Sequence, residues 1–176
     1  MLRSLIATLF AASAFAAHAG DFSLRVDAAD ASGHIAQKYT FNGFGCTGQN
    51  LAPALHWHGQ PAGTRSFAVT MYDPDAPTGS GWWHWVVLNL PASTSALPEG
   101  GALPTGAHGV HNDFGTTTWG GPCPPVGDTP HHYVFTVYAL DVPQLDVPDN
   151  ATAALAGFML HGHVLGKAQQ TLMYGR

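Results

Sequence analysis

The residues best suited to chemistry cluster in three short stretches. Asp73-Pro74-Asp75-Ala76-Pro77 puts two carboxylates either side of a proline, and Gly81-Trp82-Trp83-His84-Trp85 follows it closely. Pro74 and Pro77 fix φ and push the residues before them toward extended geometry, which predicts a rigid acidic loop. Pro130-His131-His132-Tyr133 adds a second imidazole and a phenol, and Gly120-Gly121-Pro122-Cys123-Pro124-Pro125 adds turn-forming backbone. An anion needs donors: His84 and His131 can give N–H, Tyr133 an O–H, and the amides around Gly121 more. A carboxylate beside such donors makes sense if Asp73 orients a histidine and raises its pKa, keeping an imidazolium available near neutrality. Asp75 could instead receive an ammonium group. No Lys or Arg falls in these motifs, so modest affinity for a phosphate is expected.

The same side chains would also serve acid–base work or Zn²⁺ ligation, but the compact spacing of a zinc hydrolase is missing. Gly79-Ser80-Gly81 lacks the pattern of a nucleophile elbow. Neither a Rossmann fingerprint nor a P-loop occurs, and no catalytic role, metal or cofactor is expected. Trp82, Trp83 and Trp85 read as core and rim packing rather than a stacking cage.

These residues must be positioned by strands. Segment 67–71 reads as a strand delivering the acidic loop, 85–90 as the strand leaving it, and 133–140 as the clearest strand of all. Segments 22–26, 38–41, 55–57 and 168–174 read as further strands. Asp149-Asn150 reads as the N-cap of a helix over 151–160. That helix is apolar and is a candidate contact for a homodimer. The fold class expected is mainly β with a C-terminal helix, in a single domain over 20–176.

Composition narrows the function. Of 176 residues, 45% are hydrophobic and only 10% charged, with 21 Gly and 13 Pro, which suits a loop-rich β protein. A formal charge of −5 argues against nucleic-acid binding. Residues 1–19 read as a signal peptide: Arg3 is the basic start, 5–17 the apolar run, and Ala17-His18-Ala19 the cleavage site, with the cut after Ala19. The mature chain is therefore expected in the periplasm or outside the cell. There, Cys46 and Cys123, the only two cysteines, are expected to form a disulfide. The competing assignment pairs Cys123 with His84 or His131 as a nucleophile.

The acidic loop, the Trp83-His84 pair, the 121–125 loop and Pro130-His131-His132-Tyr133 before an aromatic strand together resemble the phosphatidylethanolamine-binding protein family. Within it, they resemble the bacterial branch often called Raf-kinase-inhibitor-like. The resemblance spans essentially the whole mature chain. It implies an antiparallel β-sandwich with a small cavity at one end for phosphate-like anions. Asp73, His84, His131 and Tyr133 would stand at that cavity, with Asp75, Pro77, Gly121, Pro124 and Pro125 as wall and rim. The function expected is binding of a phosphorylated small molecule or a phospholipid head group, with peripheral phospholipid contact. The alternative is an interaction module regulating a kinase or protease, and a hydrolase ranks last.

Overall fold

The computed structural model describes residues 21–176, so the expected signal peptide lies outside the described residues. Its strands are β1 (Ser23–Val26), β2 (Asn42–Gly43), β3 (Cys46–Thr47), β4 (Leu55–His58), β5 (Ser66–Asp73) and β6 (Trp82–Pro91). Then come β7 (Ala96–Leu97), β8 (His108–Gly109), β9 (His131–Leu140), the helix α1 (Ala153–His161) and β10 (Val164–Tyr174). All strand pairings are antiparallel: a large sheet in the order β10-β9-β5-β6-β8, a small one β1-β4-β7, and the hairpin β2-β3.

Alternation explains the layers. In β4, Leu55 and Trp57 are buried while His56 and His58 are exposed, so this sheet has one wet face. Its inner face packs on Phe67, Val69, Met71, Val87, Phe135 and Val137 of the large sheet. The opposite face of the large sheet is also covered, because Ala68, Val86 and Leu88 pack against Ala153, Ala156 and Leu160 of α1. Strand β5 is therefore buried almost throughout and reads as a continuous apolar run.

Cys46 and Cys123 are joined, as compartment and parity had indicated, across a sequence separation of 77. In the chain-entropy model a closed segment of that length stabilises by roughly 4 kcal/mol. The nucleophile alternative for Cys123 is thereby excluded.

Two elements differ from expectation. Segment 38–41 is not a strand: Gln37–Tyr39 forms a 3-10 turn, closed by the Thr40 hydroxyl donating to the Gln37 carbonyl. Glu99 fixes it by accepting from both Lys38 Nζ and the Tyr39 hydroxyl, each at 2.7 Å. The helix is capped not by Asp149-Asn150 but by Thr152, whose hydroxyl accepts from the Leu155 amide. Ala151 is held outside it by a turn bond to Pro148. Strands β6 and β9 also start earlier than the apolar runs indicated, which places His84 and His131 in sheet rather than in loops.

Candidate functional site

Strand order builds the site. β5 lies between β9 and β6, so the end of β5 meets the beginnings of both neighbours at one end of the large sheet. Asp73 closes β5, His131 opens β9, and His84 stands near the start of β6. Tyr133, two residues beyond His131, shares its face of the strand. These four line a cavity of about 150 Å³ with Phe44, Ala76, Pro77, Thr78, Trp82, Phe114, Cys123, Pro124 and Pro125.

Asp73 has a task for each oxygen. Its Oδ1 accepts from the amides of Asp75 and Ala76 at 2.8 and 3.1 Å, turning the chain at the strand end. Its Oδ2 stands 2.8 Å from His131 Nδ1, with both side chains buried. The other ring nitrogen of His131 lies 3.4 Å from Asp128. Burial by itself pushes the His131 pKa down. The hydrogen bond and charge of Asp73, joined by Asp128 and Asp75, outweigh it, and the net shift is upward.

His84 is the opposite case. Its Nδ1 donates to the Gly120 carbonyl at 2.7 Å, which fixes the neutral tautomer and leaves Nε2 as an acceptor. Burial pulls its pKa down to about 4, against smaller upward pushes from Gly120 and the Asp73 charge. The expectation of two N–H donors to an anion is therefore corrected. Both nitrogens of His131 face carboxylates, and burial pushes His84 toward its neutral form.

The donors that stand free are elsewhere. Among the described residues, three buried side-chain polar atoms lack a partner: Trp57 Nε1, Trp82 Nε1 and the Tyr133 hydroxyl. Tyr133 and Trp82 both line the cavity. Burial, the Asp73 charge and the approach of the hydroxyl to the Asp73 carboxylate push the Tyr133 pKa well up, so the phenol stays protonated. An unpaired buried hydroxyl costs about 1–3 kcal/mol, and a ligand atom in the cavity would recover it. A larger space of about 480 Å³ lies between α1 and the large sheet, but none of the unpaired buried donors lines it.

Two rim assignments need correcting. Asp75 turns outward, where its carboxylate accepts from the His132 amide and approaches His132 Nδ1 at 2.8 Å. Gly121 sits behind the wall, its amide donating to Asn50 Oδ1. Only glycine fits there, since a Cβ would come within 2.2 Å of the Tyr39 carbonyl oxygen. Pro77, Pro124 and Pro125 line the cavity.

Sequence reasoning missed Phe114 and Phe44. Phe114 packs edge-on against both His84 and Trp82, at centroid distances of 5.4 and 5.3 Å. It is placed by Asn112, whose Oδ1 accepts from the Phe114 and Thr116 amides. An aromatic isolated in a polar turn was the available signal for each.

Fold and cavity together define a β-sandwich protein with a small cavity at one end of its large sheet. The chain belongs to the family whose model is described as phosphatidylethanolamine-binding protein, which matches residues 28–175. It is 46% identical over 176 residues to the UPF0098 protein YbcL of Escherichia coli, covering 97% of this chain and 96% of YbcL. It is 50% identical over 145 residues to YbhB of the same organism, covering 80% of this chain and 91% of YbhB. The crystal structure of YbcL, titled a new member of the mammalian PEBP family, superposes with a TM-score of 0.85 at 45% identity, covering 89% of this chain and 99% of that one.

Proposed function

We propose that the protein is a non-catalytic binding protein of the cell envelope that takes a small oxyanion, such as a phosphate monoester, in its singly protonated form. The observation that carries this reading is the buried Tyr133 hydroxyl in the wall of the cavity, which approaches the Asp73 carboxylate without a well-formed hydrogen bond to it. Around it stand two acceptors, the His84 Nε2 lone pair and the Asp73 carboxylate. A fully ionised phosphate would meet no donor at His84 and a like charge at Asp73. A monoanion supplies its own P–O–H to an acceptor while its other oxygens accept from Tyr133. Among the described residues the cavity wall contains no Lys or Arg, so affinity is modest. The disulfide supports an oxidising compartment.

Calorimetric titration with phosphoethanolamine tests the proposal. Affinity is expected to rise as pH falls from about 8 to about 6, by up to about tenfold per unit, following the ligand's second ionisation near 6. Tyr133→Phe is expected to lose about 1.5–3 kcal/mol of binding, the worth of a hydrogen bond to a charged group. Equal affinity for wild type and Tyr133→Phe would remove the basis of the proposal.

An interaction module is the second reading, and exposed Phe44 and Val126 favour it, at 72% and 75% accessible. A purified partner complex that survives Tyr133→Phe but not Val126→Asp would establish it.

A further inference from the structure

Phe44 occupies a backbone conformation that its side chain disfavours. β2 and β3 pair Asn42 with Thr47 and Gly43 with Cys46, so Phe44 and Gly45 alone make the turn. Both have positive φ, 51° and 82°, as a two-residue type I′ turn requires. Asn-Gly is the pair that suits such a turn, and a bulky aromatic at its first position is strained. Among the described residues, the other non-glycine positions with positive φ are Asn50 and Asn89, which tolerate it.

Packing accounts for the choice only in part. The Phe44 ring meets Phe41 at 5.4 Å and stacks on Phe114 at 6.1 Å, yet the residue is 72% exposed and forms part of the cavity wall. The surroundings nevertheless hold the turn firmly. The Arg176 guanidinium donates to the carbonyls of Phe44 at 3.1 Å, Gly45 at 2.9 Å and Pro124 at 2.7 Å. The Cys46–Cys123 bridge ties the same two loops. Local strain persists where the surroundings over-determine it, and such places cluster at ligand sites.

We propose that Phe44 is a specificity-determining gate. Its ring, held in a strained turn by the Arg176 fork and the disulfide, narrows the cavity mouth. The cavity then admits an oxyanion on a slim, unbranched stem and rejects one branched beside the ester oxygen. This rests on the oxyanion reading of the cavity. Arg176 acts through Phe44 as a positioning residue.

Titration of the full chain with phosphoethanolamine, which is unbranched, and glycerol 2-phosphate, which is branched, tests the gate. Wild type is expected to prefer the first by about tenfold or more, the discrimination one misfitting carbon produces. Phe44→Asn is expected to reduce that preference to about threefold or less, chiefly by tightening glycerol 2-phosphate. Its melting temperature should stay level or rise, because an Asn-Gly pair suits the turn. Arg176→Lys, which keeps the charge but not the fork, should fall between. A preference that persists in Phe44→Asn, or a lowered melting temperature, would make Phe44 a packing residue and end the proposal. Failure of wild type to bind either ester overturns the oxyanion reading instead. The gate is then decided by acrylamide quenching of Trp82, isolated by difference against Trp82→Phe. Quenching that rises in Phe44→Asn supports a covered mouth, and unchanged quenching refutes it.

Discussion

His84 and His131 are each 3% exposed and face one cavity from strands on either side of Asp73, yet their pKa values shift in opposite directions. His131 lies between two carboxylates, and its pKa is shifted up. His84 leans on a backbone carbonyl and loses its proton, with a pKa near 4. Both side chains are shielded from solvent, but His84 lies deeper in the protein, so depth and partner together set the contrast. A carbonyl dipole cannot offset the desolvation of an imidazolium, whereas a full negative charge can. The cavity thus has a cationic wall already neutralised by its own carboxylates and a neutral wall that offers a lone pair.

The largest expected effect comes from breaking the charged wall. Asp73→Ala removes the partner of a buried imidazolium and both amide bonds that turn the chain after β5. A loss of about 3–5 kcal/mol in urea unfolding is expected. Asp73→Asn, which can still accept from the turn amides, should lose less. A loss below about 1 kcal/mol for Asp73→Ala would mean that His131 is not held as an imidazolium.

Next comes the neutral wall. Between pH 6.5 and about 4 the unfolded chain binds a proton at this histidine that folded His84 refuses, so acid favours unfolding across that window. The expected contribution is about 3 kcal/mol, complete near pH 4. It should appear as an acid limb in the stability profile that His84→Asn flattens. At His131 the sign is reversed: its contribution is fully present below the unfolded value near 6.5 and is lost as pH rises through the raised folded value. His131→Asn should flatten that alkaline limb and leave the acid limb standing. Identical limbs in both variants would erase the contrast.

The smallest effect supplies a control. His132 and Asp75 repeat the His–Asp pair at 2.8 Å, but with side chains 51% and 41% exposed. His132→Ala should change stability by less than about 1 kcal/mol, because water screens the pair. A larger loss would show that pairing alone, without burial, sets these energies.

Much of this was legible in the sequence. Apolar, β-branched and aromatic runs marked β5, β6 and β9, and the two prolines marked the loop after Asp73. Family resemblance brought Asp73, His84, His131 and Tyr133 together. The charge states were not legible, because they depend on Gly120 and Asp128, which reach the histidines only through the folded loops. Asp75 misled for a related reason: two residues beyond Asp73 the chain has turned, and its side chain faces outward. Phe44 was invisible because its strain exists only once β2 and β3 are paired. The 3-10 turn at Gln37–Tyr39 depends on Glu99, far along the chain, and local propensity does not report it.

The most direct test is ¹⁵N NMR of the imidazole rings from about pH 5 to about pH 8, with and without phosphoethanolamine. The expected result is a neutral Nδ1–H ring for His84 throughout and a ring for His131 that stays protonated well above the ordinary range. Adding phosphoethanolamine should move the His84 Nε2 resonance as that lone pair accepts a hydrogen bond from the ligand's P–O–H, while His131 changes little. A His84 ring that titrates near its ordinary value of 6.5, or an Nε2 signal indifferent to phosphoethanolamine, would contradict the account.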